Sequence, residues 1–181
     1  MEKCRLVFSG AGGQGVITAA IILAEAAVLH ENLMAVQSQI YGPEARGGAT
    51  RSDIIISDSE IDYPKVIQPN VLVCLTQEAY NTYSPIIRPG GLLITDMRYV
   101  KLQRKVDARQ KEFPMYQTVM ENIGEQVVFN ICMLGVVIGL TDLVKTDSII
   151  KVLETRFSAS SLETNRKSLN LGKQLCAEKE K

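Results

Sequence analysis

The stretch "CRLVFSGAGGQGVITAAIILAEAAVLH", residues 4–30, decides the fold. A short apolar run ends at Gly10, a glycine-rich turn follows, and a long Ala/Ile/Leu run begins at Val16. The first run has the length of a buried strand. The last run, Val16–His30, has the length and the Ala and Leu content of a helix. Its polar positions are few, and Thr18 and Glu25, seven apart, share one thin stripe. A helix lying on a surface shows a wider polar face, so this one is expected to be covered on most sides, by its own sheet and by another subunit.

The turn itself, Gly10-Ala11-Gly12-Gly13-Gln14-Gly15, fits the spacing G-x-G-x-x-G between strand and helix. The first glycine permits the tight turn, the second a close approach of backbone, and the third helix packing near the strand. Free N–H groups at the helix start favour a phosphate or carboxylate. The turn is not a P-loop, because Val16 and Ile17 stand where Lys and Ser/Thr belong. A dinucleotide site also needs an acidic residue about 20 positions on. That region reads Ala35-Val36-Gln37-Ser38, with no Asp or Glu. A free-standing NAD-binding Rossmann oxidoreductase therefore stands as an alternative that lacks its ribose-binding acid.

Outward from the turn, residues 33–39 read as a second strand, making a βαβ unit with parallel strands and a right-handed crossover. Residues 40–49 form a loop. Residues 50–58, 71–76 and 92–96 read as further strands, with a short helix over 77–87 and a turn at 88–91. Residues 101–112 are highly charged and read as exposed. From Val127 the chain reads as helical to its end: a buried helix over 127–141, a helix over 146–157 with Thr146 as N-cap, and a last helix with Glu163 in its first turn. The expectation is one α/β domain over residues 1–181: three layers, α/β/α, Rossmann-like, with a mostly parallel sheet and a helical C-terminal part.

Composition bounds the function. The 20 basic and 20 acidic residues cancel, and there is no Trp, which argues against nucleic-acid and membrane-surface partners. No stretch is long and apolar enough to span a bilayer, and no signal peptide opens the chain, so a cytoplasmic location is expected. Cys4, Cys74, Cys132 and Cys176 lie far apart in sequence without a C-x-x-C. No metal or cluster site is assigned to them, and Cys4, Cys74 and Cys132 read as buried, reduced thiols. His30, the only histidine, falls at a helix C-terminus and reads as a cap or surface residue. Asp53, Asp58 and Asp62 read as turn carboxylates. Asn130 lies within the buried helix and needs a hydrogen-bond partner, from this chain or another.

The second candidate segment is "YGPEARGGATR", residues 41–51. Gly42-Pro43 and Gly47-Gly48 frame Glu44 and Arg46, while Tyr41 adds an amphipathic ring and Arg51 a further charge. A loop after the second strand can share a sheet edge with the glycine-rich turn, with Arg46 as a fork for phosphate or carboxylate. The candidate binding residues are therefore Gly10, Gly12, Gly13, Gln14 and Gly15, together with Tyr41, Glu44, Arg46, Gly47 and Gly48. No self-contained catalytic set is legible.

"GAGGQGV" followed by "YGPEARGG" resembles the gamma subunit of 2-oxoacid:ferredoxin oxidoreductases, and so do "RSDIIISDSEIDYP", "FNICMLGVVIGL", Asn165 and Gly172. The resemblance covers most of the chain; Ala45 stands where many relatives carry a bulkier residue such as Met. It implies a multi-subunit enzyme, most similar to the 2-oxoglutarate type, that oxidatively decarboxylates a 2-oxoacid to an acyl-CoA, carbon dioxide and reduced ferredoxin. It further implies that thiamine diphosphate and iron–sulfur clusters sit on partner alpha, beta and delta (ferredoxin-like) subunits. Coenzyme A would be met at the subunit interface by the two matching loops, and the isolated chain would be inactive. A pure assembly module, in which the glycine-rich turn only packs, is the competing reading.

Overall fold

The computed structural model describes residues 3–40, 49–103 and 106–179. A six-stranded sheet runs in the order β2-β3-β1-β4-β5-β6. Its strands are β1 (Cys4–Gly10), β2 (Met34–Ile40), β3 (Thr50–Ser57), β4 (Val71–Cys74), β5 (Gly91–Asp96) and β6 (Ala108–Phe113). β1, β4, β5 and β6 pair in parallel, while β3 runs antiparallel to both β1 and β2. The helices are α1 (Val16–His30), α2 (Gln77–Tyr83), α3 (Met115–Asn122), α4 (Phe129–Thr141), α5 (Thr146–Arg156) and α6 (Ala159–Lys179).

The mostly parallel, three-layer α/β expectation holds, but the first βαβ unit is split. β1 and β2 point the same way without touching, because β3 lies between them. Burial decides this order. β3 carries Ile54, Ile55 and Ile56, all buried, and so needs cover on both faces. β2 carries Gln37, Ser38 and Gln39, which are only half-buried, and so suits an edge. The charged stretch read as exposed contains the opposite edge strand, β6, whose Arg109, Lys111 and Glu112 fit such a place.

Side chains alternate across the sheet with the period of two that strands impose. Leu6, Phe8, Ile54, Ile56, Val71, Val73, Leu92 and Ile94 enter the larger core under α1, α3, α4, α5 and α6. Val7, Ile55, Leu72, Cys74 and Leu93 enter the smaller one, closed by Ala79, Tyr80 and Tyr83 of α2. α1 is covered by its own sheet as the sequence predicts, and by α4 and α5 on the other side. Glu25, on the thin polar stripe, forms an ion pair with Arg156 of α5, with Arg156 Nε donating to Oε2 over 2.6 Å.

Two helix starts differ from their expected positions. Thr146 is the first helical residue of α5, not its cap. The start is held by Glu31, whose Oε1 accepts from Lys145 N (2.9 Å) and Ser148 Oγ (2.5 Å). α6 begins at Ala159, which moves Glu163 out of the first turn. The buried helix starts at Phe129 after a 3-10 turn at Gln126–Val128, and α3 is not among the elements expected from the sequence.

Candidate functional site

The glycine-rich turn leaves the C-terminal end of β1 and enters α1 through Gly15, which caps the helix at φ 71°. Gly13 also has positive φ, 87°. Both conformations favour glycine. Gly12 and Gly13 have open space where a Cβ would stand, so a ligand or partner chain can approach their backbone. Gly10 and Gly15 are packed instead. A Cβ on Gly10 would strike Gln14 Oε1, and one on Gly15 would lie 2.6 Å from Asn130 Nδ2.

Gln14 is the clamp of this turn. Its Oε1 accepts from Ala11 N (2.7 Å), and its Nε2 donates to Leu75 O beyond β4 (3.2 Å). Part of the donor capacity that a phosphate would need is thus met by the chain itself. Removing the side chain strips both backbone groups of their partners, at about 1–3 kcal/mol. Gln14→Ala is therefore expected to lower the thermal unfolding midpoint of the chain by several degrees, measured by circular dichroism.

Asn130 meets its need halfway. Its Nδ2 donates to Gly15 O over 3.2 Å and ties α4 to the turn, while its buried Oδ1 accepts from no described residue. Around this contact lies a cavity of about 340 Å³, lined by Gly13, Gly15, Thr18, Asn130, Ser161 and Asn165 among others. Asn165 Nδ2 donates to Ser161 O (2.8 Å). Ser161 and Thr164 belong to no motif in the sequence, although 160, 161, 164 and 165 recur on one helical face.

The second segment, with Tyr41, Glu44, Arg46, Gly47 and Gly48, lies outside the described residues. Its anchors do not. β2 ends at Ile40, β3 begins at Thr50, and Thr50 pairs with Gly10. Segment and turn therefore spring from the same sheet edge. Arg51 departs from its expected place on the recognition surface. Its Nε and Nη2 donate to Asp53 Oδ1 and Oδ2 (2.6 and 3.1 Å), and Nη2 also reaches Val66 O (2.7 Å). Asp53 in turn is no turn residue but a buried strand residue in this pair; Asp58 and Asp62 do lie in bends.

Other titratable groups are structural. The Asp96 carboxylate, fully buried, accepts from Arg98 N and Tyr116 N (2.8 Å each) and so fixes the end of β5 and the start of α3. Burial raises its pKa, against the lowering effect of those N–H groups. Burial likewise pushes the Cys4 thiol up to about 11 and that of Cys132 to about 12, and raises that of Cys74. Such thiols are poor nucleophiles and poor ligands. Among the described residues no His/Cys/Asp/Glu group could hold a metal ion, and no helix is long and apolar enough to cross a membrane. His30 is exposed at the end of α1.

Gln37 Nε2 donates to Ser52 Oγ (2.6 Å), and β3 separates its strand from β1. The ribose-binding position of a dinucleotide fold, beside the glycine-rich turn, is not reproduced. Residues 5–175 match the sequence profile of the pyruvate ferredoxin/flavodoxin oxidoreductase family. The chain belongs to that family. The resemblance to its gamma subunits, drawn from the paired loops, holds. Over 172 residues this oxidoreductase chain is 41% identical to the 2-oxoglutarate synthase subunit KorC of Methanocaldococcus jannaschii, covering 94% of this chain and 92% of that one. It also superposes on the gamma subunit of a keto/oxoacid ferredoxin oxidoreductase from Geobacter sulfurreducens with a TM-score of 0.88 and 38% identity, covering 97% and 99% of the two chains. The fold recurs within the 2-oxoglutarate:ferredoxin oxidoreductase of Magnetococcus marinus, solved with 2-oxoglutarate, coenzyme A and succinyl-CoA bound. There the TM-score is 0.86 at 20% identity, over 98% of this chain and 32% of that one.

Proposed function

We propose that this family member serves a 2-oxoglutarate-type oxidoreductase, supporting coenzyme A-dependent oxidative decarboxylation to succinyl-CoA with ferredoxin as electron acceptor. The reading rests on the common sheet edge: Gly10, the last residue of β1, is paired with Thr50, at the foot of the segment that carries Arg46. Gly12 and Gly13 offer open backbone beside that pairing, and the reading gives Arg46 the role of the cation that meets coenzyme A between subunits. The residues fit a phosphate-bearing ligand at its edge, by backbone approach and one cation. They do not fit a resident cluster: among the described residues no His/Cys/Asp/Glu group could hold a metal ion, and Cys74, Cys132 and Cys176 are buried. Coenzyme A supplies the acyl-accepting thiol; this chain orients and encloses it. Thiamine diphosphate and iron–sulfur clusters belong to partner subunits of alpha, beta and delta type. The arrangement predicts no turnover by the isolated chain.

Arg46→Ala in the assembled enzyme tests this. The Michaelis constant for coenzyme A is expected to rise about tenfold, the loss of one charge-assisted contact. That for 2-oxoglutarate and the turnover number are expected to stay within about twofold. Viologen reduction at varied coenzyme A provides the measurement. An unchanged constant for coenzyme A would leave the segment with an assembly role only.

A further inference from the structure

Where β1, β4 and β5 begin, at the end of these strands away from the glycine-rich turn, lies a groove that the proposed function does not use. It has a volume of about 650 Å³, and Arg5, Lys65 and Arg88 line it beside Tyr63 and Ile67. A second hollow of about 420 Å³ shares Arg88 and Pro89 and adds Arg109. Three cations thus line the first hollow, Arg88 and Arg109 line the adjoining second one, and among the described residues no carboxylate lines either. None of the four has an ion-pair partner among the described residues.

The chain as a whole is electrically neutral, so this is a local concentration of charge. Like charges gathered without counter-charges repel one another, and the arrangement gains when an anionic surface covers it. The backbone beneath is well tied. Arg5 N donates to Asn70 Oδ1 (3.0 Å), Asn70 N to Arg5 O (2.7 Å), and Arg88 N to Pro69 O (3.1 Å). The cations therefore project from a fixed floor. At the rim Tyr63 is 56% exposed and Ile67 70% exposed. An apolar pair beside cations matches a polypeptide that offers both carboxylates and an apolar side chain. A small polyphosphate would leave Ile67 uncovered, and nucleic acid calls for a basic excess that this chain lacks.

We infer that this groove docks a carboxylate-rich segment of another subunit of the same oxidoreductase, with Ile67 and Tyr63 as the apolar anchor. The inference rests on the multi-subunit reading above. The test uses the complex purified with all its chains. Carbodiimide, which joins a lysine amine to a carboxylate without a spacer, is expected to link Lys65 to Asp or Glu of another subunit. The variant Lys65→Glu/Arg88→Glu/Arg109→Glu, changed only at exposed positions, is expected to melt like the parent chain. Its complex should dissociate at about half the salt concentration or less. A complex that survives salt as the parent does, with Lys65 unlinked, overturns the groove as an interface and leaves the multi-subunit reading intact. Links between two copies of this chain, or protection of Lys65 by inorganic pyrophosphate with no protein link, also overturn it. Purification of this chain alone from its native source overturns both readings together.

Discussion

Gly172→Ala is expected to destabilise the chain by about 3 kcal/mol or more, because it inserts a methyl group where two helix backbones touch. α4 and α6 meet through glycine. A Cβ on Gly172 would run into Cys132 O and stand 2.9 Å from Val136 N; one on Gly135 would run into Leu169 O and stand 3.1 Å from Gly172 Cα. One turn further on, Gly139 faces Cys176, whose Sγ lies near Val136 O and Gly172 O, 3.5 Å from each. The obstruction is backbone, which cannot rotate aside as a side chain can. Relief requires the helices to separate, and their contact fills the centre of the larger core, where Cys132, Val136 and Leu169 are buried. For a chain of this size the unfolding midpoint should fall by roughly 6–12 °C in scanning calorimetry. A midpoint within about 1 °C of the parent's would show that the crossing adapts.

Arg51→Ala should cost about 3–5 kcal/mol, the usual result of removing one partner from a buried ion pair. The side chains of Arg51 and Asp53 are 11% and 3% exposed. With the guanidinium gone, the Asp53 carboxylate keeps the Val66 N donor (3.1 Å), and Val66 O loses Nη2. The Tyr83 ring, 5.2 Å from the guanidinium, loses its cation as well. The segment leading to β4 then loses one of its two ties to this part of β3. Arg51→Lys should recover only part of the loss, since an ammonium cannot reproduce the two-pronged contact. Chemical denaturation of the three chains measures this, and the loss should persist at high salt, because buried pairs are poorly screened. Arg51 also stands beside the foot of the Arg46 segment, at the register position opposite Ile40. Its removal is expected to raise the Michaelis constant for coenzyme A too.

Much of the fold was legible because strands and helices write their burial into the sequence. β1, α1, β3 and β5 were read to within a residue or so, since each is an apolar run ending at a glycine or a polar break. β6 and α3 were not. An edge strand with Arg109, Lys111 and Glu112, and a short helix of eight residues burying only Met115 and Val119, carry too few apolar residues to stand out from their surroundings. The site was legible in part. The glycine-rich turn and the segment after β2 could be named, whereas the lining residues Ser161 and Thr164 could not. They are ordinary polar residues until α6 is brought against the turn.

The sequence by itself determined most element types, the glycine-rich turn between β1 and α1, and the family, because these depend on local conformation and on contiguous motifs. Only the tertiary structure decided that β3 separates β1 from β2, that Arg51 is bound to Asp53 and not free for a ligand, and that Arg5, Lys65 and Arg88 line one groove. Each of these depends on pairing between strands or on chain segments distant in sequence. Free energy from burial and charge is realised only once the chain has closed those loops.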